Sequence, residues 1–174
     1  MAIETIASHV EAAKSAKAQL PYLWYVMGRS SAWSDEEIPP AEDMYQDHID
    51  EIIGAKKFEK AQLVRPINSN EDISTADIIY KSQGWKFIAD EDAIKERARY
   101  LYLEVNIEPG DLPYAVYRQI GIYKNLVPIT GAATQNTLRP SEIADTGLLI
   151  GYDNRRFQRY DDSVKIKEQV VLKY

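Results

Sequence analysis

Hydrophobic and polar positions divide the chain into an amphipathic N-terminal segment, a second helical pattern and a series of short alternating runs. Ile3, Ile6, Ala7, Val10, Ala13 and Leu20 recur at three- and four-residue spacings ahead of Pro21, which is the period of a helix and its stop signal. This helix, residues 1–20, carries a thin stripe, mostly alanine with a few β-branched residues, and so has little apolar area to bury. A second stripe of Met44, Tyr45, His48, Ile49, Ile52 and Ile53 follows Pro40, with Glu42 and Asp43 at its start and Lys56 and Lys57 at its end. Proline at the first turn, acids at the positive end of the dipole and lysines at the negative end predict a second, flanking helix. A helical turn is expected around Asp90 to Arg97.

The remaining pattern is that of strands. Leu101, Leu103, Val105 and Ile107 alternate with Tyr102, Glu104 and Asn106, the period-2 signature of a half-buried strand. Glu108-Pro109-Gly110-Asp111 then places Pro and Gly where a type II turn needs them. Tyr114–Tyr123 is therefore expected to pair antiparallel with Tyr100–Ile107. Val164, Ile166, Val170 and Leu172 share one face of a closing strand, and shorter strands are expected at 62–66, 77–81, 85–88 and 147–152. Strands outnumber helices, which predicts a β-rich α+β fold with an antiparallel β-sandwich-like core, the N-terminal helix and one further flanking helix. At 174 residues and 45% apolar, one domain over 1–174 is expected: helix 1–20 and β-rich core 21–174.

The apolar run Tyr22-Leu-Trp-Tyr-Val-Met27 breaks at Gly28-Arg-Ser-Ser-Ala-Trp33 and enters the acidic loop Ser34-Asp-Glu-Glu-Ile-Pro-Pro40. Six bulky apolar residues in a row suit a strand covered on both faces, and Gly28 is expected to supply a positive φ for the turn out of it. Two fates are open to Arg29 and Trp33. Both residue types anchor protein contacts, or Trp33 folds back as a lid on its own core while Arg29 pairs with a local carboxylate.

Charge sharpens this picture. The 21 Lys and Arg against 27 Asp and Glu leave a formal net charge of −6, which disfavours a general nucleic-acid binder, since phosphate neutralisation needs a basic surface. Asp35, Glu36, Glu37, Glu42, Asp43, Asp47, Asp50 and Glu51 fall in a stretch without Lys or Arg, whereas Arg155, Arg156 and Arg159 cluster near the end. Opposed patches of this kind either steer docking between subunits or are ordinary solvated faces. The start of the chain lacks a basic cluster leading into an apolar stretch, and about 18 consecutive apolar residues occur nowhere, so neither export signal nor membrane insertion is expected.

Candidate chemistry is sparse. With no cysteine and only His9 and His48, thiol chemistry is excluded and no zinc signature can be written. Asn68-Ser-Asn-Glu-Asp72 is superficially similar to the opening of a calcium loop, but Ile73 stands where that loop needs glycine and Ile79 where it needs glutamate, so a polar turn is expected. No phosphate-binding, nucleophile-elbow or dinucleotide motif occurs. Neither an enzyme nor a cofactor is expected, and twelve tyrosines lean toward contact surfaces.

Three segments, read in order, resemble a known family: Tyr25-Val-Met-Gly-Arg-Ser-Ser-Ala-Trp33 followed by Pro39-Pro40; Tyr114-Ala-Val-Tyr-Arg-Gln-Ile-Gly-Ile-Tyr123; and Gly147-Leu-Leu-Ile-Gly-Tyr-Asp-Asn-Arg155 leading to Tyr174. Together they are similar to the baseplate wedge subunits of contractile-tailed bacteriophages, the group of the dimeric wedge protein of T-even phages. This chain is much shorter than the T-even member, and Arg156-Phe157 stand where the family often shows Pro-Pro. The resemblance implies a structural component of the tail baseplate, made in the host cytoplasm and built into the virion, that mediates protein contacts in assembly and infection. Its partners would be other wedge proteins, as a homodimer or as multiple copies in a sixfold assembly. Arg29, Trp33, Tyr117, Arg118, Arg155, Arg156 and Arg159 are the candidate partner contacts. A tail-associated cell-wall hydrolase using a carboxylate pair and a generic β-sandwich adaptor of a tail-like machine are the alternatives.

Overall fold

The computed structural model of the chain describes residues 2–161 and 163–174. Helix α1 spans Ile6–Ala18. It is followed by strands β1 (Leu23–Gly28), β2 (Gly54–Lys57), β3 (Lys60–Pro66), β4 (Ile78–Tyr80), β5 (Gln83–Phe87), β6 (Tyr100–Ile107), β7 (Ala115–Lys124), β8 (Val127–Pro128), β9 (Thr137–Leu138), β10 (Ile143–Asp145), β11 (Leu148–Tyr160) and β12 (Ile166–Lys173). The fold is the β-rich α+β class that the alternation predicts. Its strands form ladders in the orders β11-β7-β1-β2-β9 and β12-β6-β3-β5-β4 and a ribbon β10-β8. Pairing is antiparallel in β1–β2, β1–β7, β7–β11, β3–β5, β3–β6 and β4–β5.

The chain forms two compact units, one of Met1–Leu20, Glu59–Glu104 and Gln169–Tyr174, the other of Pro21–Phe58 and Val105–Glu168. In the first, the Thr5 hydroxyl accepts from the Ser8 amide at 3.3 Å and caps α1, whose buried residues are Val10 and Ala13. The thin stripe thus buries what it can. Val64, Trp85 and Tyr102 centre an aromatic core with Phe87 and Tyr100 packed on it, Trp85 meeting Tyr100 edge-on at 5.0 Å. Asp90 to Arg97 is a run of hydrogen-bonded turns, the Glu96 amide donating to the Asp92 carbonyl at 2.9 Å. Asn68–Asp72 is a polar turn built around Glu71, whose carboxylate takes Arg65 at 2.8 Å, Lys86 at 2.6 Å and the Asn68 amide at 2.6 Å.

In the second unit β1 is buried at all six positions, as its unbroken apolar run requires, and lies between β7 and β2. Trp24, Val26, Ile49, Ala55, Tyr123, Leu126, Ala132 and Leu138 form its core. The turn after β6 has the expected geometry, with Gly110 at φ +86° and the Asp111 amide donating to the Glu108 carbonyl at 3.0 Å. It does not close a hairpin. β6 pairs with β3 while β7 pairs with β1 and β11, because β7, buried without interruption from Tyr117 to Tyr123, is enclosed by strands on both edges.

Two further expectations are corrected. The second helix from Pro40 to Lys57 does not form: the segment is irregular until β2, and of its apolar stripe only Ile49 is fully buried while Met44 and Tyr45 stand in solvent. The positive φ lies at Arg29 (+54°), and Gly28 stays in β1, paired with Gln119. Gly28 is needed for space instead, since a Cβ there would meet the Asp50 carbonyl oxygen at 2.6 Å and Ile49 Cδ1 at 2.8 Å.

Candidate interaction surface

Residues 34–51, which join the acidic loop to most of the segment expected to be a helix, run as a strap along β7 and β11, and side chains of those strands satisfy its backbone. The Asn154 amide group donates to the Pro40 carbonyl at 3.0 Å, and the Tyr152 hydroxyl donates to the Asp43 carbonyl at 3.1 Å and accepts from the Asp43 amide. The Tyr123 hydroxyl accepts from the Ile49 amide at 2.9 Å and the Gln119 side-chain oxygen from the Asp50 amide at 3.0 Å. Tertiary hydrogen bonds take the place of the helical ladder, and burial of Ile49 adds about 1.5–3 kcal/mol.

The acids of the strap also find partners within the chain. Glu36 takes Arg118 Nε at 2.8 and 2.9 Å, Glu37 takes Arg156 at 3.2 Å, and Glu42 accepts from the Asn154 amide at 3.2 Å. Asp50 takes Arg29 at 2.5 Å. Glu51 accepts the Ser30 and Ser31 amides at 2.9 Å each, and both serine hydroxyls also point at it. Asp35 and Asp43 turn back on the strap's own amides, and Asp47 meets His48 at 2.6 Å. Hydrogen bonds from Ser30 and Ser31 lower the Glu51 pKa to about 2, and the Arg118 hydrogen bond lowers that of Glu36. Glu36, Asp50 and Glu51 anchor the strap, while Glu37 and Asp47 keep most of their side chains in solvent.

Beneath the strap the three sequence motifs meet. The Arg29 guanidinium lies 3.9 Å above the Trp33 ring, and Trp33 Nε1 donates to the Arg155 carbonyl at 2.8 Å. Arg118 donates to the Ser30 carbonyl at 2.5 Å, while the Gln119 amide group donates to the Asn154 side-chain oxygen at 2.8 Å. Arg155 reaches Glu168 at 2.8 Å and Asp153 at 3.1 Å, and the Tyr117 hydroxyl donates to the other oxygen of Glu168 at 2.9 Å. Burial opposes the charge on Arg155, but Glu168 and Tyr25 hold its pKa above the ordinary arginine value; burial and the same Glu168 raise the Tyr117 pKa. Of the two fates open to the Trp33 loop, the fold-back is the one adopted.

A bulge in β11 sorts the arginines. Asn154 pairs with Gln119 and Gln158 with Tyr117, so Arg155, Arg156 and Phe157 together stand opposite Arg118 alone. Arg155 turns inward, whereas Arg156 and Phe157 turn out. Arg156 and Arg159 keep most of their side chains in water, Phe157 and Tyr114 are half exposed, and the Arg159 guanidinium lies 5.3 Å above the Tyr114 ring. Of the seven candidate contact residues, Trp33, Tyr117 and Arg118 are buried, Arg29 and Arg155 largely so, and Arg156 and Arg159 face solvent. Phe157 and Tyr114 belong with them. Periodicity could not find Phe157, because the bulge that exposes it breaks the alternation. Among the described residues no three His, Asp or Glu side chains converge to hold a metal ion, and no helix is long and apolar enough to cross a membrane.

The convergence of these motifs on one strapped sheet accompanies a match along the whole chain. A family model described as baseplate wedge 3 tail fiber network component matches residues 1–174. The chain belongs to that family. The virion protein 3 of Enterococcus phage phiEF24C is 31% identical over 172 residues, 99% of this chain and 94% of that protein. This family member is accordingly a structural component of a phage tail, located in the virion, and its motif residues hold the strap to the sheet.

Proposed function

We propose that the chain is a baseplate wedge component that joins neighbouring baseplate proteins during tail assembly and infection, and that it meets them through the outward face of the β11 bulge. The observation that carries the reading is the division of labour at that bulge: Arg156, Phe157, Arg159 and Tyr114 present arginine and aromatic side chains to solvent, the composition of interface anchors. Arg29, Trp33, Tyr117, Arg118 and Arg155 act from below, holding strand and strap in the shape the partner meets. Pre-ordering of this kind lowers the cost of docking. The copies work as a homodimer or as several subunits of a sixfold baseplate.

Complementation of a phage lacking this gene tests the reading. A variant carrying Arg156→Glu, Phe157→Ser and Arg159→Glu is expected to fold, and tails assembled with it are expected to lack the protein or to stall. Normal incorporation and infectivity of that variant would remove this face from the interface.

A further inference from the structure

We propose that the tip of the strap of one copy docks into an arginine-lined pocket on the Met1–Leu20, Glu59–Glu104, Gln169–Tyr174 unit of a second copy. The inference rests on the reading of the chain as a baseplate protein present in several copies.

The strap displays apolar side chains beside its acids. Ile38, Met44 and Tyr45 are 72%, 87% and 85% exposed, and Glu42, Asp43 and Asp47 next to the tip stay exposed while hydrogen-bonded within the chain. These side chains sit on an ordered segment: Asp43 Oδ1 accepts from the Tyr45 amide at 2.9 Å and the Asp43 carbonyl from the Gln46 amide at 3.1 Å, which makes Met44-Tyr45 the tip of a closed turn. Methionine and tyrosine displayed on a pre-ordered turn are the pattern of a docking element, since isolated apolar residues on a protein surface neither cluster nor need pinning.

The other half of the contact lies on the first unit. A pocket of about 250 Å³ has Ile6, Pro66 and Tyr100 as its apolar lining, with Asn68, Arg97 and Arg99 also lining it. The remaining charged lining, Arg65 and Glu96, is internally neutralised by an ion pair of 3.0 Å. Among the described residues no carboxylate lies within ion-pair distance of Arg97 or Arg99. The volume falls below the ~300 Å³ at which small-molecule sites begin, and it suits one large side chain. Glu42, Asp43 and Asp47 flank the Met44-Tyr45 tip, so an apolar anchor with acidic shoulders faces an apolar pocket with basic shoulders. Because the two halves are different surfaces of one chain, the contact is heterologous and extends from copy to copy until a ring closes.

Sedimentation equilibrium of the purified protein tests this. The wild type is expected to self-associate, and the strap variant Met44→Ser/Tyr45→Ser and the pocket variant Arg97→Glu are each expected to weaken association about thirtyfold or more. An equimolar mixture of the two variants retains one intact strap and one intact pocket, and is expected to form a dimer and stop there. A photo-crosslinking residue at position 45, in a mixture of ordinary and heavy-isotope copies, is expected to join peptides containing Ile6 or Tyr100 across the two labels. A monomeric wild type, a variant that associates as the wild type does, a mixture that stays monomeric, or crosslinks confined to one label would each overturn the proposal. The β11-bulge variant above reads the other surface, so failure there leaves this test intact and the converse also holds.

Discussion

At the scale of single residues, Arg155 and Arg156 are neighbours in sequence with opposite fates. Arg155 reaches Glu168 and Asp153 in the interior of its unit, while Arg156 reaches out to Glu37 at the surface. Arg155→Ala is therefore expected to destabilise by about 3–5 kcal/mol, because Glu168 is left buried without its cation, whereas Arg156→Ala is expected to change stability by no more than about 0.5 kcal/mol. Urea denaturation of the two variants side by side checks the contrast. Gly28 carries a second test at this scale. Gly28→Ala drives a methyl group against the Asp50 carbonyl, a backbone atom that cannot rotate away, and a loss of about 1–3 kcal/mol is expected from overpacking.

The element that most shapes this protein is the strap, which is irregular yet anchored along its length. Its hold depends on ionised carboxylates. Glu51 has its folded pKa lowered to about 2 by Ser30 and Ser31, and an unfolded glutamate titrates near ~4.3, so the sign is that of a depressed acid. Its contribution is complete above about pH 5 and is lost as pH falls toward 2. Glu36, lowered by Arg118, acts in the same direction. Hydrogen exchange followed by mass spectrometry, corrected for the intrinsic pH dependence, is expected to show residues 29–51 losing protection between pH 5 and pH 2. Glu51→Gln is expected to show that loss already at pH 7. Unchanged protection across that range would mean that Ile49 and the hydrogen bonds from Tyr123, Gln119 and Asn154 hold the strap without its acids.

On the scale of the whole molecule, β6 and β12 each contribute residues to both compact units. On that shared chain continuity we propose that residues 1–174 unfold as one domain in a single transition. Calorimetry is expected to give equal van 't Hoff and calorimetric enthalpies; two resolved peaks would mean independent units. The formal charge of −6 also takes on a different meaning at this scale. The eight acids of 34–51 have partners within the chain, so salt is expected to act on assembly through the charges that stay exposed, Arg156 and Arg159 on the bulge and Asp43, Asp47 and Arg97 in the strap-to-pocket contact.

What the sequence determines by itself is local. Period-2 alternation over Tyr100–Ile107, the unbroken apolar run of β1, the Pro-Gly pair of the turn at Glu108–Asp111 and the period of α1 appear in the structure as expected, because each rests on backbone preferences and on burial within one element. The three motifs also marked the residues that meet beneath the strap, although it is the adjacency of β1, β7 and β11 that brings them together. Tertiary structure decides the rest. The stripe from Met44 to Ile53 has a helical period, yet the strap there takes its hydrogen bonds from Tyr152, Asn154, Tyr123 and Gln119, which lie about 70–110 residues away and which no helix propensity can anticipate. Likewise Arg155 and Arg156 are the same residue type in one cluster, and only the bulge opposite Arg118 settles which of them enters the interior. A pattern in sequence reports how a segment can bury itself, whereas the partner that completes it is chosen by the strands that meet it in space.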